Sequence, residues 1–129
     1  MIFGIGLDIQ SIAQIDASIR KQGEYFLRRI YTGQEIDYCS SKENASQHFA
    51  ARWAVKEAFS KAAGTGIARG LCFRDVETVH LKTGQPHIVL YGKALDLCEQ
   101  HDLRVLVSIT HSEEYAAAQI ILCSRLEDE

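Results

Sequence analysis

Apolar and other positions alternate at the start of the chain. Phe3, Ile5, Leu7 and Ile9 fall on one side of an extended segment, and Gly4, Gly6 and Asp8 on the other, so residues 2–9 read as a strand. Two glycines on one face mark a place where another backbone or a ligand comes close. The period then changes to that of a helix. Ile12, Ile15 and Ile19 form a seam, with breaks at Gly23 and Thr32-Gly33, and residues 25–31 and 34–40 read as two further short helices. Thr32 followed by Glu35 is a capping box. A polar loop over 42–46 leads into Ala45–Ala63, nineteen residues with neither Gly nor Pro that stop at Gly64-Thr65-Gly66. That is one helix roughly 28 Å long, closed by a glycine cap.

Beyond the helix the pattern turns strand-like. Residues 73–82 and 87–91 form a hairpin about the turn Thr83-Gly84-Gln85-Pro86, residues 93–101 a helix, and residues 104–110 and 116–123 a second hairpin across 111–115. A strand, several helices, two strands, a helix and two strands predict an α+β domain, a mostly antiparallel sheet packed on the long helix. No repeat, low-complexity run or linker divides it, so residues 1–129 are expected to form a single domain.

The long helix carries the informative chemistry. Stepped at 100° per residue, Ala51, Val55, Ala58, Phe59 and Ala62 share one arc fit for a core, while Arg52, Lys56, Glu57, Ser60 and Lys61 fill the opposite half turn. An ordinary amphipathic helix explains much of this, with Glu57 and Lys61 as an i,i+4 pair worth a few tenths of a kcal/mol. Phe49 and Trp53 lie on the same half, however, and a purely solvated face does not hold them. A cationic face with aromatics and one carboxylate suggests a bound polyanion together with a metal. Asp8, at the exit of the glycine-faced strand, reads either as the N-cap of the next helix or as a ligand. The loop of Gly64-Thr65-Gly66 with Arg69-Gly70 can hold phosphate on its N–H groups, and a helix cap followed by a turn explains it equally well. His111 reads as a turn residue rather than a ligand contact.

Composition narrows the classes. With 47% apolar and 24% charged residues the chain is expected to bury a core unaided, and a net charge of -3 predicts no nucleic-acid partner. Four cysteines at 39, 72, 98 and 123 lack zinc spacing and read as free thiols of a cytoplasmic protein. No apolar run reaches membrane-span length, so no membrane partner is expected. Arg20, Lys21, Arg28 and Arg29 form a basic stretch, opposed by an acidic end at Glu127, Asp128 and Glu129.

Three segments together resemble the holo-acyl-carrier-protein synthase family of 4'-phosphopantetheinyl transferases: GIGLDI (4–9), FAARWAVKEAFSKAAGTGI (49–67) and SITHSEEYAAAQIIL (108–122), with TGQPHI (83–88) as a weaker fourth. The resemblance implies that fold, and transfer of the phosphopantetheine arm of coenzyme A to a serine of apo acyl carrier protein. It implies Asp8 and Glu57 as magnesium ligands and Lys61 as the catalytic lysine. Arg52, Gly64, Thr65, Gly66, Gly84, Pro86 and the stretch 108–112 match positions lining the coenzyme A site. Chemistry adds Lys56 and His111 as further phosphate contacts, and Glu57, directly or through a metal-bound water, as the group that takes the serine proton. Ser11 and Gln14 depart from the family, which often has an acidic and a basic residue there. Arg20, Lys21, Arg28 and Arg29 are therefore candidates for meeting the carrier protein. The short members of the family form trimers with sites between subunits, which is the expectation here. A magnesium-dependent nucleotide-diphosphate phosphohydrolase and a non-enzymatic coenzyme A-binding module are the alternatives.

Overall fold

The computed structural model describes residues 1–64 and 70–125. In chain order these are β1 (Ile2–Ser11), α1 (Ile12–Gln22), α2 (Glu24–Ile30), α3 (Gly33–Ser40), α4 (Ala45–Ala63), a 3-10 turn (Phe73–Asp75), β2 (Val76–His80), β3 (Pro86–Leu90), α5 (Gly92–Gln100), β4 (Leu103–His111) and β5 (Tyr115–Ser124). The architecture is the expected α+β one, with every strand pair antiparallel, but the strands divide into two sheets: β1-β5-β4 and the hairpin β2-β3.

Local chemistry sets the boundaries. Ser11, not Asp8, caps α1, its hydroxyl accepting from the Gln14 N–H at 3.2 Å, so Asp8 stays inside the strand. Thr32 and Glu35 form the capping box of α3. Helix α4 ends at Gly64, whose left-handed φ of 78° lets its N–H reach the carbonyls of Ser60 and Lys61. The strand expected from residue 73 begins three residues later, because the Asp75 carboxylate accepts from the Cys72 N–H and closes a turn first. It ends at His80, because the Leu81 N–H bonds to the Gln85 carbonyl in the tight loop, where Gly84 takes a φ of 88°.

The glycine face of β1 lies on α4. A Cβ on Gly4 would fall 1.9 Å from the Ala62 carbonyl oxygen, and one on Gly6 1.8 Å from that of Ala58. Helix backbone therefore sits directly on strand backbone, the close approach that two glycines on one face imply. The opposite face of β1 is open: Ile5, Leu7 and Ile9 are 58%, 62% and 64% exposed.

Helix α4 is central to the packing. On one side it meets β5, β2, β3 and α5 through Val55, Ala58, Phe59 and Ala62, with Val76, Ile88, Ala94, Ile120 and Leu122. On the other, Phe49, Ala50 and Ala51 join Ile15, Phe26, Ile30, Tyr31 and Cys39 of α1–α3 and their connections. The predicted apolar stripe is buried throughout. Much of the predicted polar half is buried too, including Arg52, Lys56 and Ser60, because α3 and β2 cover it.

Candidate active site

Asp8 and Lys61 meet across the contact between β1 and α4. The Lys61 ammonium donates to Asp8 Oδ1 at 3.1 Å and to the Leu7 carbonyl at 2.9 Å. Because Gly6 lets the helix down onto the strand, Asp8, two residues further along the same strand face, comes beside the last two turns of α4. Glu57 stands one turn before Lys61. Its carboxyl is held above the ordinary glutamate value, first by burial and then by the negative charge of Asp8, while Lys61 pulls the other way. Two carboxylates within electrostatic reach of each other, with the one Lys61 ammonium bonded to Asp8, carry more negative than positive charge.

The donor set suits a hard divalent cation. Magnesium typically takes one or two protein carboxylates and completes its shell with water and substrate phosphate oxygens. Asp8 and Glu57 supply that pair. No group of three or more His, Cys, Asp or Glu able to hold a metal occurs among the described residues.

The other expected contacts are placed as follows. Lys56 is corrected: its side chain is wholly buried, and its ammonium donates to Glu35 Oε1 at 2.8 Å, the Phe73 carbonyl at 2.9 Å and the Val76 carbonyl at 2.6 Å. All three donors are engaged inside the protein, and none is left for a coenzyme phosphate. Burial lowers its pKa, against the opposing attraction of Glu35.

Arg52 does not join the Asp8 cluster. It stacks on Tyr38 at 4.5 Å, approaches His80 Nδ1 at 3.3 Å with Nη2, and has a buried Nε without a hydrogen-bond partner. Burial, then the charges of Arg52 and Lys42, hold His80 below the ordinary histidine range. The β2–β3 register sets Pro86 opposite His80, so the Gly84–Pro86 turn stands beside this cationic cluster. His111 ends β4, hydrogen-bonds Gln47, and lines a cleft of about 940 Å³ with Ser11, Asp16, Glu43, Ser112 and Tyr115. Asp8, Glu57 and Lys61 do not line that cleft. Gly64 serves as the helix cap, and Thr65 and Gly66 lie outside the described residues.

Sequence reasoning missed the Leu7 carbonyl, His80, Tyr38 and Lys42 as neighbours of the two clusters. It also missed Glu35 as the partner of Lys56. The aromatics on the polar half of α4 were the available signal: Phe49 and Trp53 are where α1–α3 and the 3-10 turn cover that half, Trp53 stacking on Phe73 with ring centroids 4.9 Å apart.

An α+β frame that carries two carboxylates and a lysine where a glycine-faced strand meets a long helix is the kind of site that handles phosphoryl groups with a divalent cation. The profile of the 4'-phosphopantetheinyl transferase superfamily matches residues 4–120, and the chain belongs to that superfamily. It is 42% identical over 123 residues to the holo-[acyl-carrier-protein] synthase of Geobacter sulfurreducens, covering 95% of this chain and 98% of that one. To the synthase of Koribacter versatilis it is 45% identical with the same coverage. Among solved structures, the synthase of Neisseria meningitidis superposes with a TM-score of 0.86 at 36% identity, over 96% of this chain and 100% of that one. The synthase of Bacillus anthracis, solved in complex with CoA (3',5'-ADP), gives 0.81 at 34% identity, over 96% and 98%.

Proposed function

We propose that this chain transfers the 4'-phosphopantetheine arm of coenzyme A to a serine hydroxyl of apo acyl carrier protein, releasing adenosine 3',5'-bisphosphate, as a step serving fatty acid biosynthesis. The observation that carries this is the convergence of Asp8, Glu57 and Lys61 at the strand–helix contact of a chain aligned over nearly its whole length with holo-[acyl-carrier-protein] synthases. The serine oxygen forms a bond to the phosphorus that bears the pantetheine arm, and the bond from that phosphorus to the bridging oxygen breaks. Glu57, with its raised pKa, accepts the serine proton. Lys61 neutralises the phosphoryl oxygens and the departing bisphosphate. Asp8 orients Lys61 through their direct contact. Asp8 and Glu57 are the residues that would hold a magnesium ion, which when bound would supply positive charge against the diphosphate.

The cluster of Arg52, Lys42 and His80, beside the Gly84–Pro86 turn, supports a second coenzyme A phosphate contact, because a buried guanidinium with a free N–H calls for an acceptor. For the carrier protein we place the docking face on α1 and α2. Arg20 and Arg28 there are partly compensated by Asp16 and Glu24, at 2.7 and 2.8 Å, and Arg29 lies over Tyr25.

A homotrimer with sites between subunits fits the surface. Across the three-stranded sheet, Ile5, Ile121 and Leu106 stand in one row and Ile9, Ala117 and Thr110 in another. Leu7, Leu106 and Tyr115 are also exposed. A patch of that kind marks an interface, and a neighbouring copy is the means of bringing a His111 cleft to the Asp8 cluster. Free thiols at Cys39, Cys72, Cys98 and Cys123 support a reducing, cytoplasmic setting, and no described helix is long and apolar enough to cross a membrane. One domain over residues 1–129 serves the whole reaction, since both core clusters share α4.

The test is to incubate the protein with apo carrier protein, coenzyme A and magnesium and to weigh the carrier by mass spectrometry. Addition of the arm to serine is expected. Bisphosphate released without carrier would identify a phosphohydrolase, and binding of coenzyme A without turnover a binding module.

A further inference from the structure

The buried pair Lys56–Glu35 stands outside the reacting cluster, yet two of its bonds end on the strand that leads to the second one. Lys56 donates to the Val76 carbonyl, and Glu35 Oε2 accepts from the Thr78 N–H at 3.0 Å. Glu35 Oε1 takes both the ammonium and the Thr32 N–H of its own capping box. Every donor of Lys56 and both oxygens of Glu35 are therefore used, and four of their partners are main-chain groups.

Among the described residues β2 pairs with β3 alone, and this two-stranded sheet is not hydrogen-bonded to β1-β5-β4. Packing of Val76 and Ile88 on α4 holds the hairpin down, but apolar contact is non-directional, and a slip of one residue would turn each of its side chains to the other face. Val76 and Thr78 are alternate positions, so an ammonium on one carbonyl and a carboxylate on one N–H fix both the register and the height of β2 along α4. Glu77, between them, is tied by Tyr91 at 2.8 Å and by Thr32. At the end of β2 stands His80, against Arg52 and opposite Pro86.

We propose that Glu35 and Lys56 are positioning residues for the coenzyme: they set the β2–β3 hairpin so that His80 and the Gly84–Pro86 turn meet Arg52 in a phosphate-competent arrangement. This rests on the coenzyme A reading given above. The contact of β1 with α4 that brings Asp8 to Lys61 runs through Gly4 and Gly6 and not through the pair. A packing role alone would change stability and leave coenzyme affinity as it was. A positioning role separates affinity from chemistry.

The experiment compares wild type with the combined variant Lys56→Met, Glu35→Gln. It is neutral, close in shape, and leaves a carboxamide oxygen for the Thr32 N–H. Coenzyme A binding is measured by calorimetry, transfer at saturating coenzyme A by mass spectrometry, and protection of the Thr78 N–H by hydrogen exchange. Losses from altered supporting residues run to about 10–100-fold. Affinity is expected to fall by about that factor, with Thr78 protection reduced and kcat kept within about threefold. A folded variant that binds coenzyme A within about twofold of wild type overturns the proposal, as does a fall in kcat equal to the fall in affinity. Should the combined variant not fold, Glu35→Gln alone carries the same test, and unchanged affinity there overturns it equally. Wild-type protein that binds no coenzyme A sinks the proposed function itself, a result separable from the others.

Discussion

Replacing Gly6 by alanine tests the strand–helix contact on which the reacting cluster depends. The added Cβ would lie 1.8 Å from the Ala58 carbonyl oxygen, and ordinary contact begins near 3.4 Å, so strand and helix must part locally by about 1.6 Å. Neither obstacle is a flexible side chain: the nearest atoms are helix main chain. Overpacking of this kind costs typically 1–3 kcal/mol. Asp8 is two residues along, on the same face, and its bond to Lys61 is already 3.1 Å long. A displacement of about 1 Å at a reacting group costs about 100-fold in rate. Gly6→Ala is therefore expected to stay folded, to lose about 1–3 kcal/mol in urea unfolding, and to transfer the arm about 100-fold more slowly. Gly4→Ala, further from Asp8 and equally tight against Ala62, is expected to lose similar stability with a smaller loss of rate. Wild-type stability and rate in Gly6→Ala would refute the placement of β1 on α4.

Four further outcomes are expected. Asp8→Ala and Glu57→Ala each remain folded and lose magnesium-dependent transfer by about 100-fold or more; near-normal transfer by Glu57→Ala removes Glu57 from the mechanism. Glu57 is held above the ordinary value of 4.5 and must ionise to take either a cation or a proton. Half-saturating magnesium should thus rise as pH falls toward the raised pKa of Glu57, and a flat profile counts against the assignment. Arg28→Glu with Arg29→Glu should raise the KM for carrier protein about tenfold while calorimetry finds coenzyme A affinity unchanged, a rim-charge effect that grows at low salt; equal losses would move the docking face elsewhere. Ile5→Glu or Ile9→Glu should give monomers by sedimentation and abolish transfer, whereas an assembly of unchanged size would clear β1 of any interface.

Legibility followed the kind of force involved. Helix α4 was readable to the residue because its limits are local: no breaker inside, and a glycine required at a left-handed cap. Gly4 and Gly6 were readable as a close approach, and the helix now accounts for it. The direct contact of Asp8 with Lys61, 53 residues apart, was not foreseen: the family resemblance assigned the two residues separate roles in one site, and no periodicity connects a strand end to a distant helix. The polar half of α4 was misread for a physical reason. A helical wheel shows which residues share a face but not how many layers cover it, and here α3 and β2 form a second layer over Lys56. The division into two sheets was not readable, because strand alternation fixes faces and leaves neighbours open.

The molecule places charge inside and apolar surface outside, and the two inversions have one explanation. Burying an ion costs several kcal/mol, so Lys56 and Glu35 persist where their bonds answer main-chain groups that hydrocarbon would leave unpaired. Leaving Ile5, Leu7 and Ile9 more than half exposed forfeits burial worth about 1.5–3 kcal/mol for each such side chain. A chain that functioned alone would gain by exchanging the two arrangements. The ionic pair fixes a hairpin that bears candidate coenzyme contacts, and the apolar sheet offers a face on which copies can join. On this account Ile5→Glu should damage transfer through loss of assembly, whereas Lys56→Met with Glu35→Gln should damage it through coenzyme affinity in an intact assembly. Sedimentation of the two variants side by side separates those routes, and a monomeric Ile5→Glu with full transfer would show that one chain suffices.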